Sequence, residues 1–285
     1  MKILITGANG QLATEFKGLL GMYAHTVVPL DRDRLDITRE NDVEKAIAAH
    51  APEIVINCAA YNFVDRAETD YETAVRVNAL GVKYLAVACE KIRALLVHYS
   101  TDYVFDGAKD DFYTEEDETK PINNYGISKL LGEQYLREAT DRFLLFRVSW
   151  VFGDGRQNFL MNVLEWAHQK RVLKIACDQI SVPTSTRDIA LLTMFAWNRG
   201  LRGLYHLTNG GYASRYEVAR YFLEKMNLDN IVLPVPSDSF PSAAKRPYFS
   251  AMSNRKLSLA LDVEIPDWRI AIDGFVESQF KRGET

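Results

Sequence analysis

Over the first half of the chain, short apolar runs rich in β-branched residues alternate with longer stretches whose apolar residues recur three and four positions apart. The runs at 2–6, 26–30, 53–57, 94–100 and 143–148 predict strands, and the stretches at 11–20, 39–50, 72–90 and 124–139 predict amphipathic helices between them. Strand and helix repeating in turn is the pattern of βαβ units, so the expected fold class is α/β, a Rossmann-like doubly wound parallel sheet. After Trp150 the connections lengthen and Pro and Gly become more frequent. Strand-like pieces at 173–177, 204–207 and 231–235, with helical ones at 158–169, 185–197, 214–226 and 267–281, predict a smaller C-terminal lobe. The expected division is a main lobe over 1–150, drawing also on segments near 178–198, and a second lobe over 151–285.

Composition narrows the function more than the fold. With 285 residues, 47% of them hydrophobic, the chain can bury a large core without disulfides or metal. Cys58, Cys89 and Cys177 are far apart, fall in no zinc-binding spacing and read as reduced, structural thiols. The formal net charge is −4 with no dense basic cluster, so no nucleic-acid partner is expected. The opening MKILITG holds an apolar run too short for a signal sequence or a membrane span, so a cytoplasmic protein without a membrane partner is expected.

Directly after the first predicted strand comes Gly7-Ala8-Asn9-Gly10-Gln11-Leu12-Ala13, a GxxGxxA dinucleotide turn leading into a helix. Such a turn needs Gly7 for its tightness, Gly10 for close approach of the backbone to a pyrophosphate, and a small residue at 13 for helix packing. The helix start, with Gln11 and Leu12, adds oriented N–H groups and a positive dipole. Asp31 ends the second strand about twenty residues after Gly10, where a carboxylate can accept from the adenosine ribose hydroxyls. Arg32 and Arg34 stand beside it, and a guanidinium there suits the extra phosphate of NADPH. The residues thus leave NADH against NADPH open.

A second constellation carries reaction chemistry. Thr101 closes the fourth predicted strand, at the sheet edge where open α/β folds bind ligands. Tyr125 and Lys129 follow at the start of a helix, four positions apart and therefore on one face. Hydride reduction of a carbonyl needs a proton donor at the nascent alkoxide, and an ordinary tyrosine with a pKa of about 10 gives up its proton sluggishly at neutral pH. A nearby ammonium lowers that pKa, and a threonine hydroxyl polarises the same oxygen. On this reading Lys129 also bonds the nicotinamide ribose, and activity declines on the alkaline side as Tyr125 loses its proton.

Taken together, ITGANGQLA, STDYVFDG and YGISK make the chain resemble the extended short-chain dehydrogenase/reductase superfamily, and within it the dTDP-4-dehydrorhamnose reductase family. The resemblance continues through VINCAAYNFVDRAE, SWVFGDG, DQISVPTST and KRPYFS, and so covers nearly the whole chain. It implies an NADPH- or NADH-dependent reductase acting at C4 of a nucleotide-sugar substrate, with Thr101, Tyr125 and Lys129 as the catalytic trio. It further implies that Gly7, Asn9, Gly10, Gln11, Leu12, Asp31, Arg32, Asp36, Ile37, Ala59, Ala60 and Tyr61 hold the cofactor together with Tyr125 and Lys129. Asp102, Val104, Trp150, Asn158 and Arg246 are implied for the substrate. The resemblance leaves a homodimer open, and leaves room for magnesium near Glu15 that the sequence itself does not indicate. Two departures bear on the substrate: Ala13 where the family has Gly, and Tyr61-Asn62-Phe63 in place of a smaller His-containing stretch.

Two rival functions share these motifs. A dehydratase or epimerase on the same fold would hold NAD tightly, but related dehydratases place an acidic pair after the threonine, and here Asp102 is followed by Tyr103. A regulatory subunit resembling that of methionine adenosyltransferase would keep the motifs without turnover.

Overall fold

The computed structural model describes residues 1–155 and 158–280. In chain order the first part runs β1 (Lys2–Thr6), α1 (Gln11–Leu20), β2 (Thr26–Leu30), α2 (Glu40–His50) and β3 (Ile54–Asn57). Next come α3 (Tyr71–Val75), a π-helical turn at Arg76–Leu80, α4 (Gly81–Ile92), β4 (Leu95–Thr101), α5 (Asn124–Ala139) and β5 (Phe143–Val148). The second part adds β6 (Val151–Phe152), α6 (Phe159–Gln169), β7 (Val172–Ala176), β8 (Ile180–Ser181), β9 (Thr184–Ser185), α7 (Thr186–Asn198) and β10 (Gly203–His206). It closes with β11 (Ala213–Ser214), α8 (Arg215–Lys225), β12 (Ile231–Val235), α9 (Arg255–Leu261) and α10 (Trp268–Phe280). The expected helix at 267–281 ends on Lys281, which lies outside the described residues.

Six parallel strands form the central sheet in the order β10-β5-β4-β3-β1-β2. Both faces are covered, which is why the strands read as continuous apolar runs rather than alternating ones. Ile3, Ile5, Ile56 and Val97 face α1 and α7 through Phe16, Leu20 and Ile189, while Leu4, Val55 and Leu96 face α2, α4 and α5 through Val43, Leu85 and Leu136. The strand order reverses between β1 and β3, and the crevice at such a reversal is where open α/β sheets take ligands.

The division expected at residue 150 is not clean. The piece at 204–207, assigned to the second lobe, is β10, the sheet's outer strand, paired with β5 through Leu204 and Leu145. An otherwise open β5 edge and the burial of Leu204 and Tyr205 on opposite faces account for it. The unforeseen α9 also returns to the main core through Leu257 and Leu261. The second lobe proper packs α6, α8 and α10 around Phe152, Leu160, Val163, Phe222, Trp268 and Ile272, beside the parallel pair of β7 and β12. The single helix expected over 72–90 is interrupted by the π turn, and the reason is Asn78. Its buried amide bonds both backbone groups of Tyr61 (2.9 and 3.0 Å) and Ser128 Oγ (3.0 Å), which joins the β3 loop to α5.

Candidate active site

The cofactor cradle starts where β1 ends. Gly7 has a φ of 62°, and a Cβ there would lie 2.7 Å from Ala59 N, so the turn after β1 and the loop after β3 touch at a point only glycine allows. Gly10 N closes the turn on Gly7 O (2.9 Å), and Gly10 caps α1 with no side-chain bond at the helix start. Ala13 is fully buried between α1 and the sheet, as its packing role requires. Asn9 Nδ2 (3.3 Å) and Arg34 N (3.1 Å) donate to the two oxygens of Asp31, which holds that carboxylate beside the loop. These features fit a dinucleotide: a bare helix start and close backbone for a pyrophosphate, with an acceptor for a ribose.

Around the adenosine end, Arg32, Arg34, Asp36 and Arg39 line one surface cleft. Burial pushes the Asp36 carboxyl up, but hydrogen bonds from Thr38 N (3.0 Å) and Oγ1 (2.7 Å) outweigh it and hold the carboxyl low. Ile37 departs from expectation: its side chain is buried against Gly81 and the core, so only its main chain is left to face a ligand. Ala59 N donates to Asn57 Oδ1 (3.2 Å), and Ala60 follows it at the crevice. Tyr61 is buried and packs with Ala67, Ala74 and Tyr125, its hydroxyl on Asp70 (3.3 Å).

The trio assembles between the end of β4 and the start of α5. Thr101 Oγ1 accepts from Tyr103 N (3.2 Å) and donates to Asp102 Oδ1 (3.1 Å). Helix α5 is capped by Asn123, whose Oδ1 accepts from Gly126 N (2.8 Å), and a Cβ on Gly126 would overlap the Tyr103 carbonyl. That close approach sets Tyr125 on the strand end, its ring edge-on to Tyr103 at 5.9 Å. Burial pushes the Tyr125 phenol well above its ordinary range, while Thr101 lies close enough to pull it part of the way back. Lys129 is buried and donates to Tyr99 O (2.5 Å). Burial lowers its pKa to about 8, opposed by the Glu133 carboxylate one turn along α5. Glu133 is in turn gripped by buried Arg147 at 2.9 and 2.7 Å. The expectation that Tyr125 titrates first on the alkaline side is therefore corrected: Lys129 loses its proton before a phenol held this high.

Four residues expected at the substrate are occupied by the protein itself. The Asp102 carboxylate is buried and accepts from Ser181 Oγ (2.9 Å) and Ser250 Oγ (2.6 Å) as well as Thr101, so it ties the strand end to the second lobe. Val104 is sealed among Phe105, Tyr113 and Met252. Asn158 caps α6 through Met161 N (3.1 Å) and donates to Gly153 O and Gly155 O (3.0 Å each), leaving it near Gln11 at the cofactor loop (3.5 Å). Arg246 is not a free cation: Asp65 takes it bidentately (2.6 and 3.1 Å), and Ser242, the Ala244 carbonyl and the Tyr103 hydroxyl are also on it. Asp65 falls to about 2, first through that Arg246 bond. Trp150 packs against the second-lobe core, in left-handed backbone at φ 40°. Its partner went unnoticed in the sequence: the Arg215 guanidinium lies 3.8 Å from its ring centre. The capping box of Ser214 and Glu217 marked a helix start there, but nothing local showed Arg215 turning inward.

The family model described as RmlD substrate binding domain matches residues 1–280. The chain belongs to the RmlD substrate binding domain family. Within reach of this RmlD-family chain, a dTDP-4-dehydrorhamnose reductase of Burkholderia thailandensis is 39% identical, over 95% of the present chain and 97% of the relative. The spore coat polysaccharide biosynthesis protein SpsK of Bacillus subtilis is 34% identical, over 98% of each. Among solved RmlD-like structures, the dTDP-4-dehydrorhamnose reductase of Bacillus anthracis in complex with NADP superposes with a TM-score of 0.95 at 34% identity, over 98% of this chain and 99% of that one.

Proposed function

We propose that this chain is a cytoplasmic reductase that uses NADPH or NADH to reduce the C4 keto group of a nucleotide-activated deoxysugar, dTDP-4-dehydrorhamnose, to give dTDP-rhamnose for polysaccharide synthesis. One observation carries the reading: the Thr101 hydroxyl, the Tyr125 phenol and the buried Lys129 ammonium converge on the end of β4, with the phenol in reach of Thr101 and the ammonium on Tyr99 O. The relatives named above supply the substrate, and three free cysteines suit a reducing compartment.

The bound nicotinamide supplies the hydride. Tyr125, held protonated by burial, hands its proton to the C4 oxygen as that oxygen becomes an alkoxide, forming the new O–H bond. The Thr101 hydroxyl turns its proton from Asp102 Oδ1 to the same oxygen and polarises it, and the Lys129 ammonium stabilises the phenolate left behind. A dehydratase reading lacks support, because the carboxylate next to Thr101 is consumed by three hydroxyl donors. The test is direct: purified chain with NADPH and dTDP-4-dehydrorhamnose should consume NADPH with formation of dTDP-rhamnose. Absence of turnover, or purification with NAD tightly retained, would overturn the proposal.

A further inference from the structure

Arg215 is a partly buried cation beside the site to which the mechanism gives no role. It opens α8 directly behind β11, and β11 pairs with β8, whose Ser181 hydroxyl holds Asp102. The guanidinium is thereby mounted on the same frame as Thr101. It lies over Trp150 at 3.8 Å and 4.7 Å from the Phe159 ring centre, so two aromatic rings hold the guanidinium in place. The polar neighbour on it is the Tyr103 hydroxyl, and among the described residues no ion pair includes Arg215. Its neighbour Arg246 differs in this respect, since Asp65 neutralises it. The Asp102 carboxylate acts on Arg215 through space but is already taken by three hydroxyls, so the guanidinium keeps donors for an incoming anion.

Position says which anion. Tyr103 joins Arg215 to Tyr125, with its hydroxyl at the guanidinium and its ring edge-on to the proton donor at 5.9 Å. In a hexose, C4 and C1 lie across the ring from each other, so a sugar with its C4 oxygen at Tyr125 carries the substituent on C1 about one ring away. On the nucleotide-sugar reading, that substituent is a diphosphate.

We propose that Arg215, held in place by Trp150, is the anchor for the diphosphate of the substrate, and that Arg246 acts instead as a loop staple. The inference rests on the proposed nucleotide-sugar chemistry. The test uses the full-length enzyme saturated with NADPH and titrated calorimetrically with dTDP, alongside steady-state kinetics. Arg215→Met keeps an unbranched apolar stem on Trp150 and removes the charge. It should weaken dTDP and raise KM for the nucleotide-sugar by at least about tenfold, the effect of losing a bidentate charge-assisted contact, with NADPH affinity unchanged. Arg215→Lys should recover only part of that loss, because a point charge cannot bind bidentately. A variant Arg215→Met that binds dTDP within about twofold of wild type overturns the anchor while the reductase reading stands. If Arg215→Met does not fold, wild-type dTDP affinity in Arg215→Lys overturns it equally. A wild-type chain that neither binds dTDP nor consumes the sugar brings down both readings.

Discussion

Glu133→Gln tests the electrostatics beneath the proton donor. Lys129 is held at about 8 by burial pushing its pKa down and Glu133 pushing it up. The two residues are one helical turn apart, and two unit charges about 6 Å apart at an effective dielectric near 20 interact by about 2.8 kcal/mol, or about 2 pH units. Arg147 grips the same carboxylate at 2.9 and 2.7 Å but keeps its own charge in both proteins, so the variant loses the whole of the Glu133 contribution. The sign is fixed by the charges: the ammonium is present below the limb, Glu133 favours it, and without Glu133 the proton leaves at lower pH. In wild type, kcat/KM should fall as pH rises through about 8, and in Glu133→Gln through roughly 6. Removing one partner of a buried ion pair costs about 3 to 5 kcal/mol, and the retained amide oxygen keeps this variant near the lower figure, tolerable for a fold of this size. The assay is a pH series of kcat/KM for both proteins, with a urea melt as the check on folding. A limb that stays in place, or moves upward, would refute the assignment of Lys129 as the titrating group.

Other expectations follow from single contacts. Gly126→Ala places a methyl group on the Tyr103 carbonyl, so the start of α5 must shift; stability should fall by about 1 to 3 kcal/mol and kcat by at least about tenfold, and unchanged kinetics would show that Tyr125 tolerates the move. Asp31→Ala should weaken NADH more than NADPH in fluorescence titrations, since only the unphosphorylated ribose offers Asp31 both hydroxyls; equal losses would remove Asp31 from the site.

How much of this was legible in the chain depends on how local each cause is. The elements at β1, α1, β2, α5 and β5 fall where periodicity and glycine punctuation place them, because both faces of each strand and one face of each helix are written in adjacent residues. The π turn was hidden, since Asn78 answers to Tyr61 and Ser128, 17 and 50 positions away. Strand β10 carries the same local texture as a second-lobe strand, and only the open β5 edge claims it. Helix α9, with two core leucines, is too short for a period to show. Within the site, the glycine cradle and the trio are short motifs and could be read directly. Arg246 could not, because its charge is cancelled by Asp65, 181 positions away. The same holds for Asp102, which the resemblance implied for the substrate and whose partners Ser181 and Ser250 come from two distant segments.

The central claim is that Tyr125 delivers the proton. Tyr125→Phe removes one hydroxyl, keeps the ring against Tyr103 and leaves the Gly7 cradle untouched, so NADPH affinity and the melting curve should match wild type. Loss of a general acid typically costs about 10² to 10⁴ in rate, and single-turnover NADPH oxidation with dTDP-4-dehydrorhamnose should slow by that amount. A variant that keeps more than about a tenth of the wild-type rate would contradict the account, because a proton donor cannot be removed at so small a cost.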